Sequence, residues 1–169
     1  ALPLNNIAEV LNYMTSVPYA LTGLSYRQTQ WHNTTDYEEF GRVATIFSMN
    51  KKYMNGQEQN ILNDINLYDA NKYRLYLDNY INVCFLKNSL KNAIVYKYAL
   101  GTDTMATASI GGAVADYAKV EHQRQCADEV VRLTGTNFAK TISKNENRIE
   151  PKIDWKTLYE FYMEASPLF

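Results

Sequence analysis

The sequence predicts an all-α fold, a helical bundle built around one long antiparallel helical hairpin, and three observations lead there. Residues 57–100 contain neither proline nor glycine, and their apolar side chains keep helical spacing: Tyr76, Tyr80, Val83, Leu86, Leu90, Ile94 and Tyr98, widened by Tyr73, Leu77, Ile81 and Cys84. Residues 104–134 keep a similar period and restart behind Gly101, Thr102 and Asp103, so they are expected to fold back along the first run. A stripe this wide has to be buried, and shorter flanking helices are the natural cover.

Taken in order, the first flanking helix opens at Asn6, which stands at capping-box spacing from Glu9, and carries Ile7, Val10, Leu11 and Met14 inward before Pro18 stops it. Residues 17–35 read as a connection broken by Pro18 and Gly23 and anchored by Leu21, Leu24 and Trp31. Thr35-Asp36-Tyr37-Glu38 is a capping box, predicting a second helix with Tyr37, Phe40, Ala44 and Phe47 on one face and Asn55-Gly56 at its end. The two long runs follow. Between Ala106 and Ala115 the second run is poor in side-chain bulk, suited to packing beneath rings such as Tyr96 and Tyr98. Residues 135–151 read as a solvated mixed-charge loop, where Lys140, Lys144, Arg148 and Lys152 interleave with Glu146, Glu150 and Asp154. A final helix starts at Asp154, turns Trp155, Leu158, Tyr159 and Tyr162 inward, and ends at Pro167. Residues 1–169 together make a single helical domain on this reading.

Composition narrows the function classes. The net charge is −1 with 21% charged residues, so nothing marks a nucleic-acid-coating surface, which would need a contiguous Lys/Arg stripe after folding. Fourteen Tyr and seventeen Asn are weak helix formers, so burial of aromatic stripes has to hold the helices, at about 1.5–3 kcal/mol per buried ring. No run reaches the ~18 apolar residues of a membrane span, so no transmembrane segment is expected. The start Ala1-Leu2-Pro3 fits a processed, mature chain, and with the cysteines it points to an extracytoplasmic or secreted protein.

Cys84 and Cys126 are the only cysteines. In a hairpin whose tip lies near residues 102–104 they fall in one layer, with an axial mismatch of roughly 3 to 9 Å at ~1.5 Å per residue, so a disulfide and two buried thiols are both open. His32 and His122 lack the Glu-x-x-His spacing of a carboxylate-bridged di-metal bundle, because Thr29 and Lys119 stand three before them. His122 and Cys126 share a helical face as two potential zinc ligands with no evident third. Gly111-Gly112 lacks the Gly-Lys-Ser/Thr of a phosphate loop, and Asn33-Thr34-Thr35 matches a glycosylation sequon. No catalytic, cofactor or metal site follows.

The expectation is therefore a non-enzymatic structural or interaction subunit of a larger extracytoplasmic, envelope or virion-type assembly, such as a filament or a secretion or pilus component. Its partners would be copies of itself or other subunits. Leu2, Leu4, Leu168 and Phe169, apolar residues at the chain ends, are the predicted subunit contacts. The alternatives are a carrier with an apolar cavity between helices, and an accessory subunit of an enzyme complex.

Overall fold

The computed structural model describes residues 7–26, 35–39, 42–43, 46–100 and 119–164, and the architecture is mixed α/β, which overturns the all-α bundle. Its elements are α1 (Ile7–Ser16), β1 (Leu21–Tyr26), β2 (Tyr37–Glu39), β3 (Phe47–Met49), α2 (Glu58–Ile65), α3 (Leu77–Lys87), β4 (Asn92–Leu100), α4 (Val120–Thr134), β5 (Ala139–Asn145), β6 (Arg148–Ile153) and α5 (Trp155–Glu164). Four strands form a sheet in the order β2-β4-β1-β3, with β1 and β4 parallel and both outer strands antiparallel to their neighbours. β5 and β6 form a separate hairpin.

The expected helix over 57–100 is two helices and a strand, and each break has a local cause. α2 ends at Ile65, and the Asp69 side chain accepts from the backbone N–H of Asn71 and Lys72, a local turn that competes with helix continuation. The chain re-enters helix through Tyr76, held at φ +66° while its ring is buried and its hydroxyl donates to the Ile149 carbonyl. α3 then closes in a Schellman motif. Ser89 takes the left-handed position at φ +57°, its N–H bonds Leu86 O at 2.9 Å, and Leu90 N bonds Phe85 O at 3.0 Å. The helix therefore stops without a glycine. Beyond it, Ile94, Val95, Tyr96 and Tyr98 are β-branched or aromatic, and pairing on both sides makes them strand β4.

The capping-box helix over 35–55 is also overturned. Tyr37–Glu39 and Phe47–Met49 are the two edge strands, and Asn55-Gly56 is a tight turn with φ of +53° and +77°, closed by Gln57 N to Met54 O at 2.9 Å. β1 replaces the irregular connection. Leu21, Thr22, Gly23 and Leu24 are all buried, so side chains on both faces of the strand are covered and no apolar–polar alternation marks it in the sequence. Gly23 is required there, because a Cβ would stand 2.2 Å from Val43 Cγ1. α1, α4 and α5 lie within the spans that periodicity predicts, and residues 101–118 are outside the described residues.

The sheet divides the core. On one face, Met14 of α1 and Val17 and Tyr19 of the segment after it pack with Leu24, Ala93 and Val95. On the other, Leu21 joins the larger cluster around α3, whose Tyr80, Val83, Cys84, Phe85 and Leu86 are all 0% exposed. α3 contributes an amide as well as apolar bulk. Asn82 Oδ1 accepts from Val43 N at 3.1 Å while its Nδ2 donates to Val43 O at 2.8 Å, so one side chain pairs with a peptide as a neighbouring strand would.

α4 does the same for the hairpin. Gln123, 1% exposed, accepts from Ile149 N at 2.9 Å and donates to Asn147 O at 2.9 Å. β5 and β6 thereby lie flat on α4, with Ala139, Ile149 and Ile153 in the core and Lys140 and Lys152 out. This hairpin stands where the solvated loop is expected. The charges are there, but every second residue of β6 is apolar and faces inward.

Candidate functional site

The register that builds the two sheets also brings their ends together. β2 is an outer strand, and across from its Glu38 and Glu39 lie the turn after α4, the open end of the β5–β6 hairpin and the first turn of α5. They enclose an open cleft of about 810 Å³, lined by residues 38–39, 136–140 and 152–156. That volume is within the range of ~300–1,000 Å³ common to binding pockets.

One wall is acidic and anchored. Glu38 is paired with Ile94 and Glu39 with Ala93, so the two carboxylates leave opposite faces of the strand. The Tyr96 hydroxyl donates to Glu38 at 2.5 Å. The Tyr19 hydroxyl donates to Glu39 Oε1, and Lys91 Nζ reaches Glu39 Oε2 at 3.5 Å. Burial, followed by the bond to Glu39, pushes the Tyr19 phenol above its ordinary range, so it stays a donor at neutral pH.

The opposite wall is basic and aromatic. Lys140 and Lys152 are directly opposed on β5 and β6, and Lys156 is the second residue of α5. Trp155 and Phe138 supply the ring surface, and Phe138 continues into Phe161 at 5.1 Å and Tyr162 at 6.3 Å, with Phe161 53% exposed. Asp154 caps α5: its Oδ1 accepts from Thr157 N at 3.0 Å, and that bond holds its carboxyl below the ordinary aspartate range.

The residues singled out from sequence lie elsewhere. Cys84 and Cys126 share the large core cluster and are both buried free thiols, so the disulfide is absent and the hairpin geometry that suggested it does not exist. Burial, then the Asp64 charge, pushes the Cys84 thiol up to about 12, which rules it out as a thiolate nucleophile. Cys126 Sγ is 3.6 Å from His122 Nε2, the expected helical pair, and among the described residues no three potential ligands gather around a metal position. Leu2, Leu4, Leu168, Phe169 and His32 lie outside the described residues. No helix among the described residues is long and apolar enough to cross a membrane.

None of the cleft residues was selected from sequence as a site, although Arg148-Ile149-Glu150-Pro151-Lys152-Ile153 alternates charged and apolar residues with a strict period of two. That alternation signals a strand with one solvent face, and Pro151 obscures it. Fold and site together define a mixed α/β protein with an open, two-walled, charged and aromatic cleft. No protein-family model, no curated protein and no solved structure matches the chain.

Proposed function

We propose that the chain is a non-enzymatic interaction subunit that seats an extended segment of a partner polypeptide, from another subunit or another copy of itself, in the cleft between β2 and the β5–β6 hairpin. The observation that carries this reading is the composition of the cleft: a sheet-edge strand on one side, a tryptophan and a phenylalanine on the other, and charged groups along both rims. An edge strand offers main-chain hydrogen bonds to an added strand, and aromatic surface supplies the contact area that fixes side chains. The carboxylates of β2 are held by tyrosine hydroxyls and Lys91, and the buried thiols are not among the residues that line the cleft. A charged, open cleft also suits a polypeptide better than the apolar ligand of the carrier alternative.

The test is a selection of linear peptides from a random library displayed against the full chain, repeated on Trp155→Ala. A consensus that binds the parent and is lost in Trp155→Ala supports the reading. Failure to enrich any linear peptide, or a consensus indifferent to Trp155→Ala, contradicts it.

A further inference from the structure

We propose that the Lys140 and Lys152 pair is the seat of a carboxylate side chain of the partner, so that the segment taken into the cleft is acidic. This rests on the reading of the cleft as a polypeptide site and names the chemistry of what it accepts. The starting observation is the hairpin register, which places Lys140 directly opposite Lys152 on the solvent face. Directly opposed side chains on neighbouring strands have Cβ atoms ~4.5–5.5 Å apart, and like charges there are destabilising.

The neighbouring cations have carboxylate partners within the chain. On the same hairpin, Lys144 Nζ and Arg148 Nε each lie 2.8 Å from a Glu150 oxygen. Lys156 has Glu160 at 3.7 Å. Among the described residues, neither Lys140 nor Lys152 has a carboxylate within ion-pair distance. The acids around the cleft are hydrogen-bonded within the chain, Glu38 by Tyr96 at 2.5 Å, Glu39 by Tyr19 and Lys91, and Asp154 by the Thr157 N–H at 3.0 Å, with Asp154 also feeling the charges of Lys156 and Lys152 from beyond ion-pair distance. What stands without an ion-pair partner on this wall, among the described residues, is the opposed pair Lys140 and Lys152.

A single carboxylate placed between the two ammonium groups meets both and relieves their mutual repulsion. The residue beside it in an extended segment then reaches Trp155, and the chain continues toward the edge of β2. An anionic bilayer is a poorer occupant, because a continuous negative surface meets Glu38, Glu39 and Asp154 together, whereas one carboxylate side chain can be seated at the lysine pair alone.

The experiment uses the full chain at low ionic strength and three acetylated, amidated probes: Glu-Glu-Trp-Glu-Glu, Gln-Gln-Trp-Gln-Gln and Lys-Lys-Trp-Lys-Lys. Backbone amide resonances of residues 140 and 152 are followed by NMR, in the parent and in the double variant Lys140→Gln with Lys152→Gln. The expected result is about tenfold tighter binding of the glutamate probe than of the glutamine probe, with shifts at 140 and 152. In the double variant that advantage is lost and the glutamine probe binds as before. Equal affinities in the parent, or an advantage that survives in the double variant, overturn the acidic assignment and leave the docking site standing. Inorganic phosphate shifting the two amides while no peptide binds marks a free-anion site, and it overturns the acidic-segment assignment as well. If neither peptide nor phosphate binds, the docking reading falls with the inference.

Discussion

Single side chains carry more of this structure than composition suggests, and the buried amides are the clearest case. Gln123 completes both a backbone donor and a backbone acceptor of the hairpin, so Gln123→Ala leaves the buried Ile149 N without its partner, while the carbonyl of exposed Asn147 can turn to water. A buried donor left unpaired costs about 1–3 kcal/mol, and a destabilisation of that size is expected in urea unfolding. A loss below ~1 kcal/mol would show that water replaces the amide. The thiols give a second test at this scale. With Cys84 and Cys126 both 0% exposed and unbridged, dithiobis(nitrobenzoate) should titrate neither in the native protein and both after unfolding without reductant. Rapid labelling of a native thiol would contradict their burial.

At the level of elements, the contact of β1 with residue 43 is tight enough to be broken by one methyl group. Gly23→Ala drives a Cβ to within 2.2 Å of Val43 Cγ1, with Ile46 O at 3.1 Å behind it, and should cost about 1–3 kcal/mol. Adding Val43→Ala should recover part of that loss, and a double variant no better than the single would place the strain in the backbone. The hairpin makes a pH-dependent prediction. Burial raises the Glu150 pKa, but hydrogen bonds and charge from Lys144 and Arg148 outweigh it and leave the carboxyl below its ordinary value. A carboxyl lowered on folding stabilises the protein above its unfolded pKa, and that contribution is lost as pH falls through the folded value. The stability difference between the parent and Glu150→Gln should therefore be largest near neutrality and shrink below about pH 4. A difference constant down to acid unfolding would exclude the ionised pair as its source.

The elements also show what was legible. α1, α4 and α5 follow from apolar period, caps and Pro18 or Gly135, because one face of each is buried and the other is wet. The run over 57–100 misleads because its punctuation is not glycine or proline: Asp69 makes a turn with its side chain, and Ser89 occupies the left-handed cap. β2 and β3 are three residues long, too short to show an alternation, β1 is buried over residues 21–24, and the parallel pairing of β1 with β4 joins residues about seventy apart in sequence. The cleft was illegible for the same reason, since strands and turns distant in sequence form its walls.

For the whole molecule, the account is that a parallel-cored sheet and an amide-clamped hairpin are held so that their ends form one docking cleft. Other apolar surface exists, notably Phe47 at 39% and Leu62 at 53% exposed, on elements outside the cleft lining, and a partner that used those instead would refute the assignment. The decisive measurement is photo-crosslinking with benzoylphenylalanine installed singly at position 155, 47 or 62, using a peptide selected on the parent chain and mapping adducts by mass spectrometry. The account predicts efficient adducts from position 155, suppressed by excess unlabelled peptide, and only background from 47 and 62. Adducts from 47 or 62 that match or exceed those from 155 would contradict it.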